Sequence, residues 1–66
     1  MRKFRVCFEN NLARSISEVD ASEEVKIDID FPDGKCILHS ITVRAHSEPE
    51  ATKIAGDMAV FITRDH

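Results

Sequence analysis

Asp28 and Asp30 stand two residues apart, the spacing that sets two carboxylates on one face of a strand, and paired carboxylates are the usual tools of general acid and base catalysis. That chemistry requires a strongly shifted pKa, which comes from burial or from a tightly held partner. The alternation of residues 25–31 predicts that this face is open to solvent, so the pair reads as surface charge, as does Glu23-Glu24. His39, His46 and His66 with Cys7 and Cys36 are ligand types that zinc accepts, but zinc ligands cluster at short spacings and these do not. His39 and His46 differ in strand parity, and His66, the last residue, is expected to fray. A thiol nucleophile needs a base within reach and a third group to orient it. The histidine nearest either cysteine in sequence is His39, three residues from Cys36 and on the opposite strand face. Gly34 and Gly56 are the two glycines and form no phosphate-binding loop. These observations predict no enzyme, no cofactor and no metal.

Nucleic acid calls for a different pattern. The formal charge is −3, and Glu18, Asp20, Glu23, Glu24, Asp28, Asp30 and Asp33 fill the middle of the chain with charge that repels phosphate. Sheet-based RNA binders stack bases on exposed aromatic rings. Here Phe4, Phe8 and Phe31 take the core parity, and the chain has neither Tyr nor Trp. Arg2, Lys3, Arg5 and Arg44 are the residues that could track a phosphate backbone. They define the alternative reading, a nucleic-acid-associated regulator.

The elements that carry these residues follow from hydrophobic periodicity. Residues 3–9 alternate, with Phe4, Val6 and Phe8 on one face, and predict a half-buried strand. Asn10-Asn11 then marks a turn or loop. Residues 12–24 fit helix or edge-strand spacing equally and are read as strand or irregular connection. Residues 25–31 alternate perfectly, and Pro32-Asp33-Gly34 supplies a turn into an antiparallel strand over 36–45. Ile37, His39, Ile41, Val43 and Ala45 share the predicted core parity. His39 is the exception among them: it marks either the rim of the sheet or a bulge that reverses the parity.

Ser47 and Glu50 form a capping-box pattern, with Pro49 in the first turn, and predict a closing helix. At 100° per residue, Ala51, Ile54, Ala55, Met58 and Ile62 make one buried stripe flanked by Phe61. Thr52, Gly56, Ala59 and Thr63 form a small-residue flank, and Val60 lies opposite the stripe. Gly56 in a helix interior costs about 1 kcal/mol against alanine, a cost that a close partner would offset.

At 66 residues the chain is expected to be a single small α+β domain over 1–66. The predicted architecture is a two-layer βββα fold, a three- to four-stranded antiparallel sheet with one C-terminal helix on one face. Lys3 and Arg5 would complement Asp28 and Asp30 across neighbouring strands, which predicts that the first strand pairs with the 25–31 strand. The basic start is followed by no apolar run of the length a secretory signal or membrane span needs, so a cytoplasmic location is expected. In that setting Cys7 and Cys36 are expected as free thiols, with a disulfide as the alternative.

The segment "DFPDGKC" followed by "SEPEATKIA" resembles HicB-type antitoxins, in which a strand ends in a Phe-Pro-Asp turn and later feeds a helix opening with a Glu-Ala pair. The Leu-Pro-Gly that follows the turn in that family is absent here, and a whole strand separates turn from helix, so no functional residue is carried over. The capped helix is also similar to those of small phage and mobile-element proteins, some anti-CRISPR proteins among them. The leading expectation is a non-enzymatic interaction or regulatory protein, an inhibitor of phage or mobile-element type or a self-associating module. Its partner would be another protein or a second copy, without membrane. The candidate contacts are Gly56, Ala59, Val60 and Thr63, with Asp28 and Asp30 second.

Overall fold

A computed structural model describes residues 1–64; the expectation for His66 lies outside them. Strands β1 (Arg2–Glu9), β2 (Leu12–Val19), β3 (Ile27–Asp30) and β4 (Ile37–Ala45) precede one helix, α1 (Glu48–Thr63). The strands form one antiparallel sheet in the order β2-β1-β4-β3, and α1 packs on one face. This is the predicted βββα-type α+β fold, with four strands.

Two turns set the hairpins. Asn10 and Asn11 both take positive φ, 54° and 62°, as a two-residue type I′ turn requires, and asparagine tolerates that region better than most residues. The ambiguous segment after it is thereby drawn into a strand, β2, against β1. At the second turn Asp33 and Gly34 are at φ 53° and 78°, and the Lys35 N–H closes onto the Pro32 carbonyl at 2.9 Å.

The predicted neighbour of β1 is corrected: β1 lies between β2 and β4, and β3 reaches only β4. Pairing β1 with β4 sets Phe4 beside Val43 and Val6 beside Ile41, all four buried. Burying such a side chain is worth about 1.5–3 kcal/mol, whereas an opposed charge pair on an open face is worth about 0.2–1 kcal/mol. The apolar match therefore decides the strand order.

The core parity of β4 is also corrected in its first half. Leu38 is buried and Ile37 is exposed, because the β3–β4 register jumps from Asp28↔Ser40 to Ile29↔Leu38 and leaves His39 as an extra residue. The bulge alternative for His39 is what the fold adopts. A second shift, between Cys7↔Ser15 and Phe8↔Ala13, makes Arg14 an extra residue in β2.

Helix α1 starts as expected, the Ser47 side chain accepting from the Glu50 N–H at 3.4 Å. The Glu50 carboxylate reaches back one residue further than in the usual box, accepting from the His46 N–H at 3.1 Å. Its buried stripe is Ala51, Ala55 and Ala59, so Ala59, at 4 % exposure, is core and not partner surface. Large side chains from the sheet, Phe4, Leu38 and Ile41, fill the space that these alanines leave. Ile54, Met58 and Ile62 are half-buried at one side of that stripe.

Candidate interaction surface

Helix α1 packs mainly on β4, β2 and β1, which leaves the apolar side of β3 thinly covered. On the helical wheel Ile54, Met58, Phe61 and Ile62 fall on the β3 side of the alanine stripe, and Thr52, Gly56 and Thr63 on the β2 side. Ile27, Asp57, Met58, Phe61 and Ile62 line an open groove, and Val25, Val43, Arg44, Ile54 and Met58 line its continuation. Three of its apolar residues are well exposed: Val25 at 50 %, Ile27 at 40 % and Phe61 at 73 %. Scattered exposed apolar residues are ordinary, whereas these three lie together along one groove.

The small-residue flank does not have this character. Around Gly56 an added Cβ would meet nothing within 4 Å, so no neighbouring segment of the chain requires glycine there. Thr63 is half-buried and its Oγ1 donates to the Ala59 carbonyl at 2.7 Å, and Val60 stands alone at 65 % exposure. Thr52 faces a shallow hollow lined by Val6, Ala13, Arg14, Ser15 and Ile16.

The charged candidates are placed as follows. Asp28 is exposed on β3 opposite Ser40. Asp30 Oδ2 lies 3.0 Å from His39 Nε2, both side chains at the surface. Arg2 pairs with Glu18 at 2.6 Å and lies over the Phe4 ring. That hydrogen bond and charge lower the Glu18 pKa and raise that of Arg2. Lys3 Nζ donates to the carbonyls of Ala21 and Glu23 at 2.6 and 2.7 Å. Arg5 donates to Glu23 and to Thr42 Oγ1, each at 3.4 Å. The β2–β3 connection thus supplies the acceptors that the sequence reading assigned to Asp28 and Asp30. Arg44 is exposed and makes no ion pair among the described residues.

Among the described residues no three His, Cys, Asp or Glu side chains converge as a metal site would require. Cys7 and Cys36 are unbridged. Among the described residues no helix is long and apolar enough to cross a membrane. The groove residues Val25, Ile27 and Phe61 are what the sequence reading missed: the parity of β3 marks Val25 and Ile27 as core, and only the position of Phe61 beside the predicted stripe hinted at a spare apolar side. No known protein family, curated protein or solved structure matches the chain.

Proposed function

We propose that the chain is a small non-enzymatic interaction protein that works by binding another macromolecule through the groove between β3 and α1. The observation that carries this reading is the contiguous exposure of Val25, Ile27 and Phe61 beside half-buried Ile54, Met58 and Ile62. Fully burying an exposed side chain of this size is worth about 1.5–3 kcal/mol, so three of them supply a small hot spot. Regulators and inhibitors of phage or mobile-element type work in this way, by occupying a surface. The nucleic-acid alternative is weaker, because Arg2, Lys3 and Arg5 already have acceptors within the chain and Arg44 is left by itself among its four cations.

The test compares wild-type protein with Phe61→Glu, each tagged and recovered from its native cell with whatever is bound. The bound protein should be lost with Phe61→Glu while the circular dichroism spectrum is unchanged, since Phe61 is exposed. Binding that is indifferent to Phe61 and to Ile27→Asp overturns the assignment of the groove.

A further inference from the structure

We infer that the occupant of this groove is a second copy of the chain, joined edge to edge through β3 in antiparallel, two-fold fashion. The inference rests on the reading of the groove as an interaction surface and names its partner. Three observations support it: the direction of the free backbone groups on β3, the order of charges along it, and the place of the groove beside it.

The backbone comes first. The Thr42 N–H donates to the Lys26 carbonyl at 2.9 Å, and the same register pairs Ile27 with Ile41 and Asp28 with Ser40. In an antiparallel ladder, residues alternate between bonding their neighbour and pointing their N–H and C=O away from it. Lys26 is bonded inward, so the N–H and C=O of Ile27 point to the open edge. β3 is the last strand on its side of the sheet, and no proline lies within it. The edge is short, four residues, and carries Asp28 and Asp30, so it can template another strand only where the facing charges are complementary.

The charges then select the register. In a two-fold antiparallel pair the axis passes through one residue, which faces its own copy. An axis at Ile29 sets Asp28 against Asp30 of the second copy, and an axis at Asp28 sets that carboxylate against itself. Like charges directly opposite are destabilising. An axis at Ile27 sets Lys26 opposite Asp28 of the second copy, twice by symmetry, and Val25 opposite Ile29. It also makes Ile27 a hydrogen-bonded pair with its copy, which is what the outward direction of its backbone groups demands. At the ends of this register Asp30 meets Glu24 of the second copy, a like-charge pair that opposes the two Lys26–Asp28 pairs but falls beyond the strand, since Glu24 lies in the connection before β3.

The groove completes the interface. Val25, Ile27 and Ile29 share the face on which α1 lies, so the axis through Ile27 brings the two grooves together beneath the two Phe61 side chains. The opposite edge of the sheet lacks these features. In β2 the extra residue at Arg14 interrupts the ladder, Arg14 is paired with Glu9 at 2.6 Å, and Glu18 is paired with Arg2.

Sedimentation velocity and light scattering test this on the full chain with two charge reversals, Lys26→Glu and Asp28→Lys. Both side chains are exposed, and circular dichroism checks that the variants fold. Wild type should be a dimer. Each single variant should raise the dimer dissociation constant at least about tenfold, as expected when two opposed pairs turn repulsive. Mixing the two variants should restore the dimer as a heterodimer, because Glu then faces Lys at one pair and Asp faces Lys at the other. A monomeric wild type at the highest soluble concentration overturns the inference, and so does a dimer that ignores either reversal. If the wild type is monomeric but captures another protein in a Phe61-dependent way, the groove reading stands and this occupant falls. If that capture is also absent, both fall.

Discussion

Asn11 does two things at once. Its φ of 62° makes half of the β1–β2 turn, and its amide spans to the start of β4. There it donates to the Cys36 carbonyl at 3.1 Å, and its Oδ1 accepts the Leu38 N–H at 3.0 Å. The second bond satisfies a backbone donor close to the His39 bulge, where the regular ladder is broken. Asn11→Ala should therefore cost about 2–5 kcal/mol, from backbone strain of about 1–2 kcal/mol and two lost hydrogen bonds at about 0.5–1.5 kcal/mol each. Asn11→Gly keeps the backbone free and should lose only the hydrogen-bond part. Urea denaturation of the three proteins separates the contributions, and equal stability of Asn11→Ala and wild type would refute the double role. In the sequence the Asn-Asn pair is legible as a turn, but its reach across the sheet is not, since nothing local encodes which strand end will lie beside it.

At the scale of elements, α1 is defined by its alanines. Ala51 and Ala55 are fully buried, and the large side chains facing them come from the sheet. Ala55→Leu should destabilise by about 1–3 kcal/mol through overpacking. Gly56→Ala, one residue on, should stabilise by about 1 kcal/mol, since the helix gains propensity and the new methyl meets nothing. Thermal melts of the two variants should therefore shift in opposite directions, and a destabilising Gly56→Ala would show that something does approach there. The helix itself was fully legible: Ser47, Glu50 and the apolar period fix its start and length. Its rotation was not. A wheel weighted by hydrophobicity centres on Ile54, Met58 and Ile62, whereas packing centres on the small residues that let the helix lie close to Phe4 and Leu38. The same shift uncovers β3 and creates the groove. The β3–β4 hairpin was legible from alternation and from Pro32-Asp33-Gly34, but half of the β4 parity was lost at His39, because a bulge changes faces without changing composition.

For the molecule as a whole, charge is organised around the connection between β2 and β3. The hydrogen bond from Arg2 lowers the Glu18 pKa, and the Ser22 backbone N–H and hydroxyl lower that of Asp20. Both carboxylates are thus held in their charged form more firmly in the folded chain than in the unfolded one. Their contribution is present in full above the ordinary carboxylate range and is lost as pH falls through the lowered folded values. Urea midpoints should decline from the ordinary carboxylate range downwards, and Glu18→Gln with Asp20→Asn should flatten that decline. An acid limb unchanged in the double variant would place the sensitivity elsewhere. These groups are solvent-exposed, so added salt should shrink the effect.

The strand order β2-β1-β4-β3 carries a kinetic consequence. Each half of the sheet is a hairpin closed by a short turn, β1 with β2 and β3 with β4, and the two halves meet only along the β1–β4 seam. That seam joins the two ends of the strand region, Arg2 with Ala45, and holds Phe4, Val6, Ile41 and Val43. Turns of this kind close in microseconds, whereas a seam between distant segments must first meet the entropy of a long loop. The rate of folding is therefore set at the seam, so Val6→Ala should slow folding, while changes at β3 should mainly quicken unfolding. The strand whose edge is proposed to meet a second copy is thus also the part of the sheet free to form and fray without undoing the centre.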